Sequence, residues 1–288
     1  MKRLINSILS ILKILKHRSF IFNLDFKNLY KNDRKIYVLG NGPSIHHDIL
    51  TQYDYLKNKD VCVVNEFGLT EYYVKIEPSM YVFADPAYFR GRDLLREDIA
   101  KKREQLFQTI TKKTTWKLQI LIPYFPQQDK SCLEILAKNQ NIQILRYSIL
   151  PIFGDERMLN LFYKKNWGMP LAQNVLISAL YLCIGAGYKE INIFGADHTW
   201  TEDIFVDEKN QLCFKDKHFY NLDVKMEPLL DTYGNVYRIH QFLEDISLMF
   251  RSYVEVERFA QYMDCDIYNC SSISFIDSFR RKLDCRDK

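Results

Sequence analysis

The sequence predicts an α/β protein with a mostly parallel sheet, helices on both faces and an inserted hairpin or lid. Residues 35–39, 60–64 and 79–84 are short apolar segments, and polar residues follow each of them. Buried parallel strands have this continuous apolar character, and their ligands bind beyond the carboxyl ends of the strands. A long apolar helix at residues 171–184 leads into a further strand at 189–194, as in a strand–helix–strand unit.

The remaining elements follow from the same alternation of apolar and polar segments. Residues 204–206 and 212–214 predict a hairpin, because a short polar turn joins them. The other expected elements are strands at 118–122, 142–145 and 266–268, and helices at 90–109, 131–138 and 236–263. The chain shows no repeat or clear linker. We therefore expect an N-terminal helix and lead-in at residues 1–30, and one domain at 31–288 with a lid at about 197–235.

Composition argues against nucleic-acid-binding, zinc-binding and membrane-spanning proteins. The chain carries 40 basic and 36 acidic residues, a balance that argues against nucleic-acid binding. Its seven cysteines include no CxxC pair, so we expect a reducing cytoplasm and no zinc site. Cys62 and Cys183 lie in apolar segments, and we expect them in the core. No apolar run reaches the roughly 18 to 20 residues that a spanning helix needs.

The first 22 residues predict a basic amphipathic helix. Basic residues lie near both of its ends, and no small-residue cleavage site follows, which disfavours a signal peptide. One interpretation is a peripheral helix on the inner face of the cytoplasmic membrane. The other is a helix docked on the protein's own core or on a second subunit of a homo-oligomer. The apolar stripe comprises Leu4, Ile5, Ile8, Ile11, Leu12 and Leu15, whereas Leu9 and Ile14 lie off it.

A glycine-rich loop follows the first strand. It consists of Gly40, Asn41, Gly42, Pro43 and Ser44. Glycine lets the backbone approach a ligand closely, and the N-terminus of the following helix offers N–H groups to a phosphate, so the loop predicts a nucleotide site. Ser44 could N-cap that helix. The loop matches neither a P-loop nor a full GxGxxG motif, and a tight turn without a ligand is the alternative.

Polar residues at other strand ends have two interpretations each. Asn65 and Asp85 follow the second and third strands and could bind a nucleotide or cap a helix. Ser271 and Ser272 follow the last strand and could contact a base or phosphate. Alternatively they could cap a helix beginning at Ile273.

The segment at residues 195–220 contains the candidate acid–base groups. His198 and His218 bracket the predicted hairpin, and Asp197 could orient an imidazole or bind a ribose hydroxyl. Exposed histidines beside a hairpin are the alternative. A metal site of Asp197, His198, Glu202 and His218 is conceivable, but the segment holds no HExxH or DxD element.

Three segments together resemble a known family. They are IYVLGNGPS at residues 36–44, the strand end at Asn65, and ALYLCIGAGYKEINIFGADH at 179–198, while DIYNCSS at 266–272 matches more loosely. The sequence resembles the bacterial lipooligosaccharide sialyltransferases of glycosyltransferase family 42. It also resembles the related 6-hydroxymethylpterin diphosphokinase-like group, which includes flagellin-modifying glycosyltransferases. The resemblance covers the sheet framework, about half of the chain.

The resemblance implies a Rossmann-like fold and a CMP-activated acidic sugar as donor, with no required cofactor and magnesium at most stimulatory. The Gly40–Ser44 loop would face the CMP phosphate and ribose, and Asn65 the nucleotide. A lid histidine would act as base on the acceptor hydroxyl, for which His218 is the first choice and His198 the second. Tyr220 would hold the leaving phosphate.

This sequence departs from the family at two places. Thr199 stands where the family has a phosphate-binding tyrosine, and Gln173 and Asn174 stand near its basic and hydroxyl positions. The donor could therefore be another nucleotide sugar. The expected catalytic residues are His218, His198 and Tyr220. The expected ligand-binding residues are Gly40, Asn41, Gly42, Pro43, Ser44, Asn65, Asp85, Asn174, Gly195, Asp197, Thr199, Ser271 and Ser272.

The leading functional hypothesis is a glycosyltransferase that acts on a bacterial surface glycan or glycolipid. The first alternative is an ATP-dependent diphosphokinase, in which Asp85, Asp197 and Asp203 would hold magnesium. The second is a non-catalytic, membrane-peripheral nucleotide-binding module.

Overall fold

A computed structural model describes residues 2–17, 24–29, 31–124, 130–216, 225–230 and 235–282 of the chain. Its strands are β1 Lys35–Leu39, β2 Val61–Val64, β3 Met80–Val82, β4 Leu118–Tyr124, β5 Ile142–Ser148, β6 Glu190–Phe194, β7 Ile204–Val206, β8 Leu212–Asp216, β9 Lys225–Pro228, β10 Asp266–Asn269 and β11 Arg280–Arg281. Its α-helices are α1 Lys2–His17, α2 Ile45–Leu56, α3 Tyr72–Ile76, α4 Glu97–Lys113, α5 Lys130–Ala137, α6 Glu156–Lys164, α7 Val175–Gly185 and α8 Ile239–Tyr262.

Eight of the described strands form one parallel sheet in the order β11-β10-β6-β1-β2-β3-β4-β5. From β1 the chain proceeds outward to β5 and then returns to place β6 on the other side of β1. The strand order therefore reverses between β1 and β6. In an open parallel sheet such a switch point leaves a crevice at the carboxyl ends of the strands, where ligands bind.

Helices cover both faces of this sheet, as the sequence predicts. Successive residues of a strand point to opposite faces, so Ile36 and Val38 belong to one core and Tyr37 and Leu39 to the other. The first core is completed by α6, α7 and α8, and the second by α2, α3, α4 and α5. The predicted α/β, Rossmann-like, mostly parallel fold is confirmed.

The inserted segment forms a second, antiparallel sheet in the order β7-β8-β9. The sequence predicts its first two strands but not β9, because that segment carries charged residues and has no apolar run. The predicted hairpin is thus the first part of a three-stranded sheet.

The segment after β10 differs from the prediction. Among the described residues from 271 to 282 there is no helix, so the helix expected from Ile273 is wrong. The chain instead forms the short strand β11, which pairs with β10 at the edge of the parallel sheet.

Two further observations concern the rest of the chain. No helix among the described residues is both long and apolar enough to cross a membrane. Cys62 and Cys183 are free and buried in the core, as predicted.

Candidate functional site

A cavity of about 1060 Å³ lies at the switch point of the sheet. Polar residues that follow β1, β2, β3 and β6 line it, and its apolar wall includes Ile149, Pro151 and Leu171. Small-molecule sites typically enclose about 300 to 1,000 Å³ and combine an apolar lining with a few polar groups. This cavity is therefore the candidate site.

The cavity brings together most of the predicted ligand-binding residues. Gly40, Ser44, Ser271 and Ser272 are not among the described residues that line it. His218 and Tyr220 lie outside the described residues, so their roles stay predictions. The predicted residues that do line the cavity are Asn41, Gly42, Pro43, Asn65, Asp85, Asn174, Gly195, Asp197, His198 and Thr199.

Two amides of the glycine-rich loop donate hydrogen bonds within the protein. The amides of Gly40 and Gly42 donate to the carbonyl oxygens of Phe194 and Gly195, each at 2.8 Å. A Cβ on Gly42 would lie 2.5 Å from Asp197 Oδ1 and 2.7 Å from the Gly195 oxygen. The two glycines thus let the loop pack against the end of β6. The amides of Gly40 and Gly42 are thus paired within the protein, and a contact of the loop with a phosphate stays a prediction.

Ser44 occupies the N-cap position of α2, as predicted, but its side chain makes no capping hydrogen bond to the helix. Its amide donates to Asp197 Oδ2 at 2.8 Å, and its hydroxyl lies 2.5 Å from Asp197 Oδ1. The Asp197 carboxylate therefore occupies the N-terminus of α2, where a phosphate was expected. Burial raises the pKa of Asp197, although the hydrogen bonds from Ser44 oppose that shift.

Two asparagines, at the ends of β1 and β2, line the cavity. Asn41 Oδ1 is buried and has no hydrogen-bond partner among the described residues, and Asn41 Nδ2 lies 3.5 Å from the Val64 oxygen. Asn65 adopts a left-handed backbone conformation with φ of 48° and begins a short 3-10 helix rather than capping it. An unpaired buried acceptor costs free energy unless a ligand or water pairs with it. Asn41 is therefore suited to accept a hydrogen bond from a ligand.

Asp85 caps a short helix and also lines the cavity. Its Oδ1 accepts a hydrogen bond from the Ala87 amide at 2.8 Å and so caps a short 3-10 helix at Pro86–Phe89. The residue is nevertheless exposed and lines the cavity. The capping interpretation is confirmed, and a ligand contact stays a prediction.

His198 lies in a buried hydrogen-bond network at the cavity wall. Its Nε2 is 2.7 Å from the Tyr253 hydroxyl and 3.1 Å from Asn174 Nδ2. The ring also packs against Trp200, with 4.6 Å between the ring centroids. Burial lowers the pKa of His198 to about 3, so the imidazole is neutral near pH 7.

The cap of α7 fixes the position of the proton on this ring. Asn174 Oδ1 accepts hydrogen bonds from the amides of Leu176 and Ile177, at 2.9 and 3.2 Å. The Asn174 side-chain nitrogen must then be the atom that faces His198, and as a donor it requires an unprotonated Nε2. The proton of the neutral ring is therefore on Nδ1. Because Nε2 already accepts hydrogen bonds, His198 fits the role of a donor better than that of the base.

The segment after β6 and the antiparallel sheet form another part of the cavity wall. Thr199, Trp200, Glu202 and Asp203 line it, together with Phe214 of β8. The predicted hairpin therefore lies beside the cavity, and its role as a lid stays a prediction. Trp200 is only partly buried and offers an aromatic surface to a ligand.

Ser271 and Ser272 form hydrogen bonds to neighbouring segments and do not line the cavity. The Ser271 hydroxyl accepts a hydrogen bond from the Ala196 amide at 2.9 Å, and the Ser272 amide donates to Asp48 Oδ1 at 3.3 Å. Neither residue lines the cavity, and the predicted base or phosphate contact stays a prediction. The alternative of a helix cap is wrong, because no helix follows within the described residues up to 282.

The described lining is rich in carboxylates. Glu66, Asp85, Glu202 and Asp203 line the cavity, and Lys102 is the one lysine or arginine among the described lining residues. Lys102 Nζ lies 3.5 Å from Glu66 Oε1. Within the described part of the chain, no three His, Cys, Asp or Glu side chains are placed to hold a metal ion.

Sequence reasoning missed several members of this site. Tyr253 lies within the long helix α8, 79 residues after Asn174, and the sequence carries no local signal of their contact. Glu66, Lys102 and Trp200 were also not predicted, although Glu66 directly follows a residue that was.

No protein-family model matches this chain, and no curated protein matches it. Among solved structures, the MAf glycosyltransferase from Magnetospirillum magneticum AMB-1 is similar, with a TM-score of 0.51 and 11% sequence identity over 94% of this chain. The chain spans only 39% of the length of that protein. At this identity the similarity shows that the two proteins share the α/β fold.

Proposed function

We propose that the protein is a glycosyltransferase that binds a nucleotide sugar in the switch-point cavity. The observation that carries the proposal is the position of this cavity, at the strand ends where parallel α/β sheets bind nucleotides. The fold shared with a solved glycosyltransferase supports it. The polar strand ends would bind the nucleotide, and the apolar wall would exclude water from the reacting sugar.

Asn41 and Asn65 are the proposed contacts of the nucleoside. An asparagine amide offers one acceptor and two donor hydrogens, which suits a base edge or a ribose hydroxyl. The unpaired Oδ1 of Asn41 supports this assignment, because a ligand hydroxyl or amino group would satisfy it. The left-handed backbone of Asn65 keeps that side chain at the end of β2.

The finer proposal is a CMP-activated acidic sugar as the donor and a bacterial surface glycan or glycolipid as the acceptor. Its support is the family resemblance at residues 36–44 and 179–198. The site geometry agrees in one respect: Asp197 already occupies the N-terminus of α2, so the loop offers no diphosphate cradle of the P-loop kind.

In the proposed reaction, His218 takes the proton of the acceptor hydroxyl. The hydroxyl oxygen then forms a bond to the anomeric carbon, and the bond from that carbon to the phosphate oxygen breaks. The nucleotide leaves with the bonding electrons. Tyr220 and the Nδ1–H of His198 are the proposed donors to the leaving phosphate, where hydrogen bonds would stabilise the developing charge.

The test of this mechanism is the substitution His218→Ala. Loss of a general base should lower turnover by about 10²- to 10⁴-fold while nucleotide affinity is kept. Turnover is measured as transfer from a CMP-activated acidic sugar to a glycan acceptor. The matched control is His240→Ala, which removes an exposed histidine of α8 and should leave turnover unchanged. Near wild-type turnover of His218→Ala would eliminate the proposed base.

The diphosphokinase hypothesis is less well supported by the geometry. It needs carboxylates for magnesium, but both oxygens of Asp197 already bind Ser44. A preference for ATP with a strict magnesium requirement would replace the glycosyltransferase proposal. Nucleotide binding without any turnover would instead indicate a non-catalytic module.

A further inference from the structure

The helix α1 exposes its apolar residues and buries its small polar ones. The two serines that face the protein, Ser7 and Ser10, are only 7% and 2% exposed, and Ile14 lies beside them at 4%. By contrast, seven aliphatic side chains are between 40% and 66% exposed: Leu4, Ile5, Ile8, Leu9, Ile11, Leu12 and Leu15. An exposed apolar surface of this kind marks an interaction site.

Specific hydrogen bonds hold α1 in this orientation. Ser10 Oγ donates to the Phe153 oxygen and accepts from the Phe153 amide, both at 2.8 Å. Ser7 Oγ accepts from the Asp155 amide at 2.9 Å. Gly154 lies between these contacts with φ of 152°, and a Cβ there would overlap Ser7. The apolar face is therefore turned outward by polar contacts on the opposite side of the helix.

The charge of α1 identifies the kind of partner. Four of the 40 lysines and arginines of the chain lie in this helix, and none of the 36 acidic residues does. The rest of the chain is consequently balanced, and the whole net charge of +4 resides in α1. An apolar face flanked by basic residues binds anionic lipid surfaces, whereas two copies packed face to face would bring like charges together.

We propose that α1 lies in the interface of an anionic membrane, with its aliphatic side chains inserted among the lipids and its basic side chains near the headgroups. The face of α1 that carries Ser7 and Ser10 would stay bound to residues 153–155. The protein would thus be attached to the membrane surface in a fixed orientation.

The loop at residues 149–155 connects α1 to the candidate site. Ile149 and Pro151 line the cavity, and Phe153, two residues later, is hydrogen-bonded to Ser10. The bridge between Pro151 and Met169 fixes this loop against the segment that leads to α7. Membrane binding would therefore hold one wall of the cavity close to the lipid surface. Resting on the proposed function, this indicates an acceptor glycan carried on a lipid.

Vesicle flotation of the full chain tests the proposal. Wild type should bind vesicles of phosphatidylcholine with phosphatidylglycerol, and I8E/L12E should bind them at least roughly tenfold more weakly, because two inserted aliphatic side chains are lost. The control I239E/L243E replaces the same residue types at the same spacing and at similar exposure on α8. It should bind as wild type does.

A second variant tests the charge contribution. K13Q/K16Q should weaken binding to the anionic vesicles by about tenfold, and the loss should shrink as salt is added. Equal loss of binding in I8E/L12E and I239E/L243E would overturn the proposal. So would wild-type binding by I8E/L12E, or a dimer of the wild type that this variant converts to a monomer without lipid.

Nucleotide binding separates this proposal from the proposed function. The rise in melting temperature that a nucleotide causes should be the same in wild type and I8E/L12E, since α1 does not line the cavity. Vesicle binding without any nucleotide effect would leave the membrane proposal standing and remove the glycosyltransferase proposal.

Discussion

His198 shows how a single residue connects the core of this protein to its candidate site. The ring is buried among Trp200, Phe250 and Tyr253, and its Nε2 is bound by Tyr253 and Asn174. Its backbone is left-handed, with φ of 55°, which histidine and asparagine tolerate better than most residues. The residue is thus held in one position and one protonation state at the cavity wall.

The lowered pKa of His198 predicts a specific dependence of stability on pH. Burial lowers this pKa from 6.5 to about 3, so the unfolded chain binds the proton more tightly than the folded chain. The resulting stabilisation is complete above pH 6.5 and is lost as the pH falls toward 3. Between about pH 7 and pH 5 the His198 contribution should fall by about 2 kcal/mol.

Urea unfolding at both pH values measures this loss. His198→Asn keeps a residue that tolerates the left-handed backbone but removes the titrating group. Its stability should therefore decrease less than that of wild type between about pH 7 and pH 5. His240→Asn, which replaces an exposed histidine of α8, is the control and should behave as wild type. An identical pH dependence of wild type and His198→Asn would contradict the assigned pKa.

At the scale of residues, the sequence predicts which side chains line the cavity more accurately than it predicts their contacts. Asn41, Asn65 and Asp197 could be found because they follow apolar strands, and strand ends meet at one edge of a parallel sheet. The pairing of Ser44 with Asp197 could not be predicted, because 153 residues separate them. That pairing places a carboxylate at the N-terminus of α2, where the sequence predicts a phosphate.

At the scale of elements, the loop between β1 and α2 shows that the same glycines could serve two kinds of close contact. Its glycines allow close contact with the end of β6, where Gly195 itself has φ of 62° and a Cβ would lie 2.7 Å from Ile45. The sequence alone does not distinguish close approach to a ligand from close approach to another loop. The two possibilities predict different effects of a substitution.

Gly40→Ala should therefore destabilise the protein without any ligand present. A Cβ at this position would overlap the Gly195 carbonyl oxygen, and overpacking of this kind costs about 1 to 3 kcal/mol. Urea unfolding of the unliganded protein measures the change. Gly91→Ala is the matched control, since its Cβ would meet only the movable side chain of Asp93, and we expect a change within about 0.5 kcal/mol.

A ligand-facing loop would give the opposite result. The unliganded stability of Gly40→Ala would then equal that of wild type, and only the affinity for a nucleotide would fall. That outcome would indicate that the loop contacts a phosphate directly.

Elements with a strong apolar pattern were predictable, and those without one were not. The strands β1, β2, β4 and β6 are continuous apolar segments and were placed within a few residues. By contrast, β9 contains two charged residues and a proline, and it forms only because it pairs with β8. The helix α1 was predicted, but its small polar face could not be recognised as the buried one before residues 153–155 were placed against it.

At the scale of the whole molecule, the sheet order determines where a ligand can bind. The reversal between β1 and β6 brings residues from the beginning and the end of the chain to one cavity. The antiparallel sheet lies on one side of that cavity, and the loop that holds α1 contributes to another. This arrangement would let a protein on a membrane surface bind a nucleotide sugar from solution and an acceptor from the lipid.

The most direct test of the central claim is a calorimetric titration of CMP, UDP, GDP and ATP into wild type and Asn41→Ala. We expect wild type to bind a nucleotide, with CMP the tightest, and Asn41→Ala to bind it roughly tenfold more weakly with no loss of unliganded stability. Gln140→Ala, in a cavity at the amino ends of the strands, should bind as wild type does. The absence of binding by every nucleotide at about millimolar concentration, or equal binding by wild type and Asn41→Ala, would contradict the assignment of the cavity as a nucleotide site.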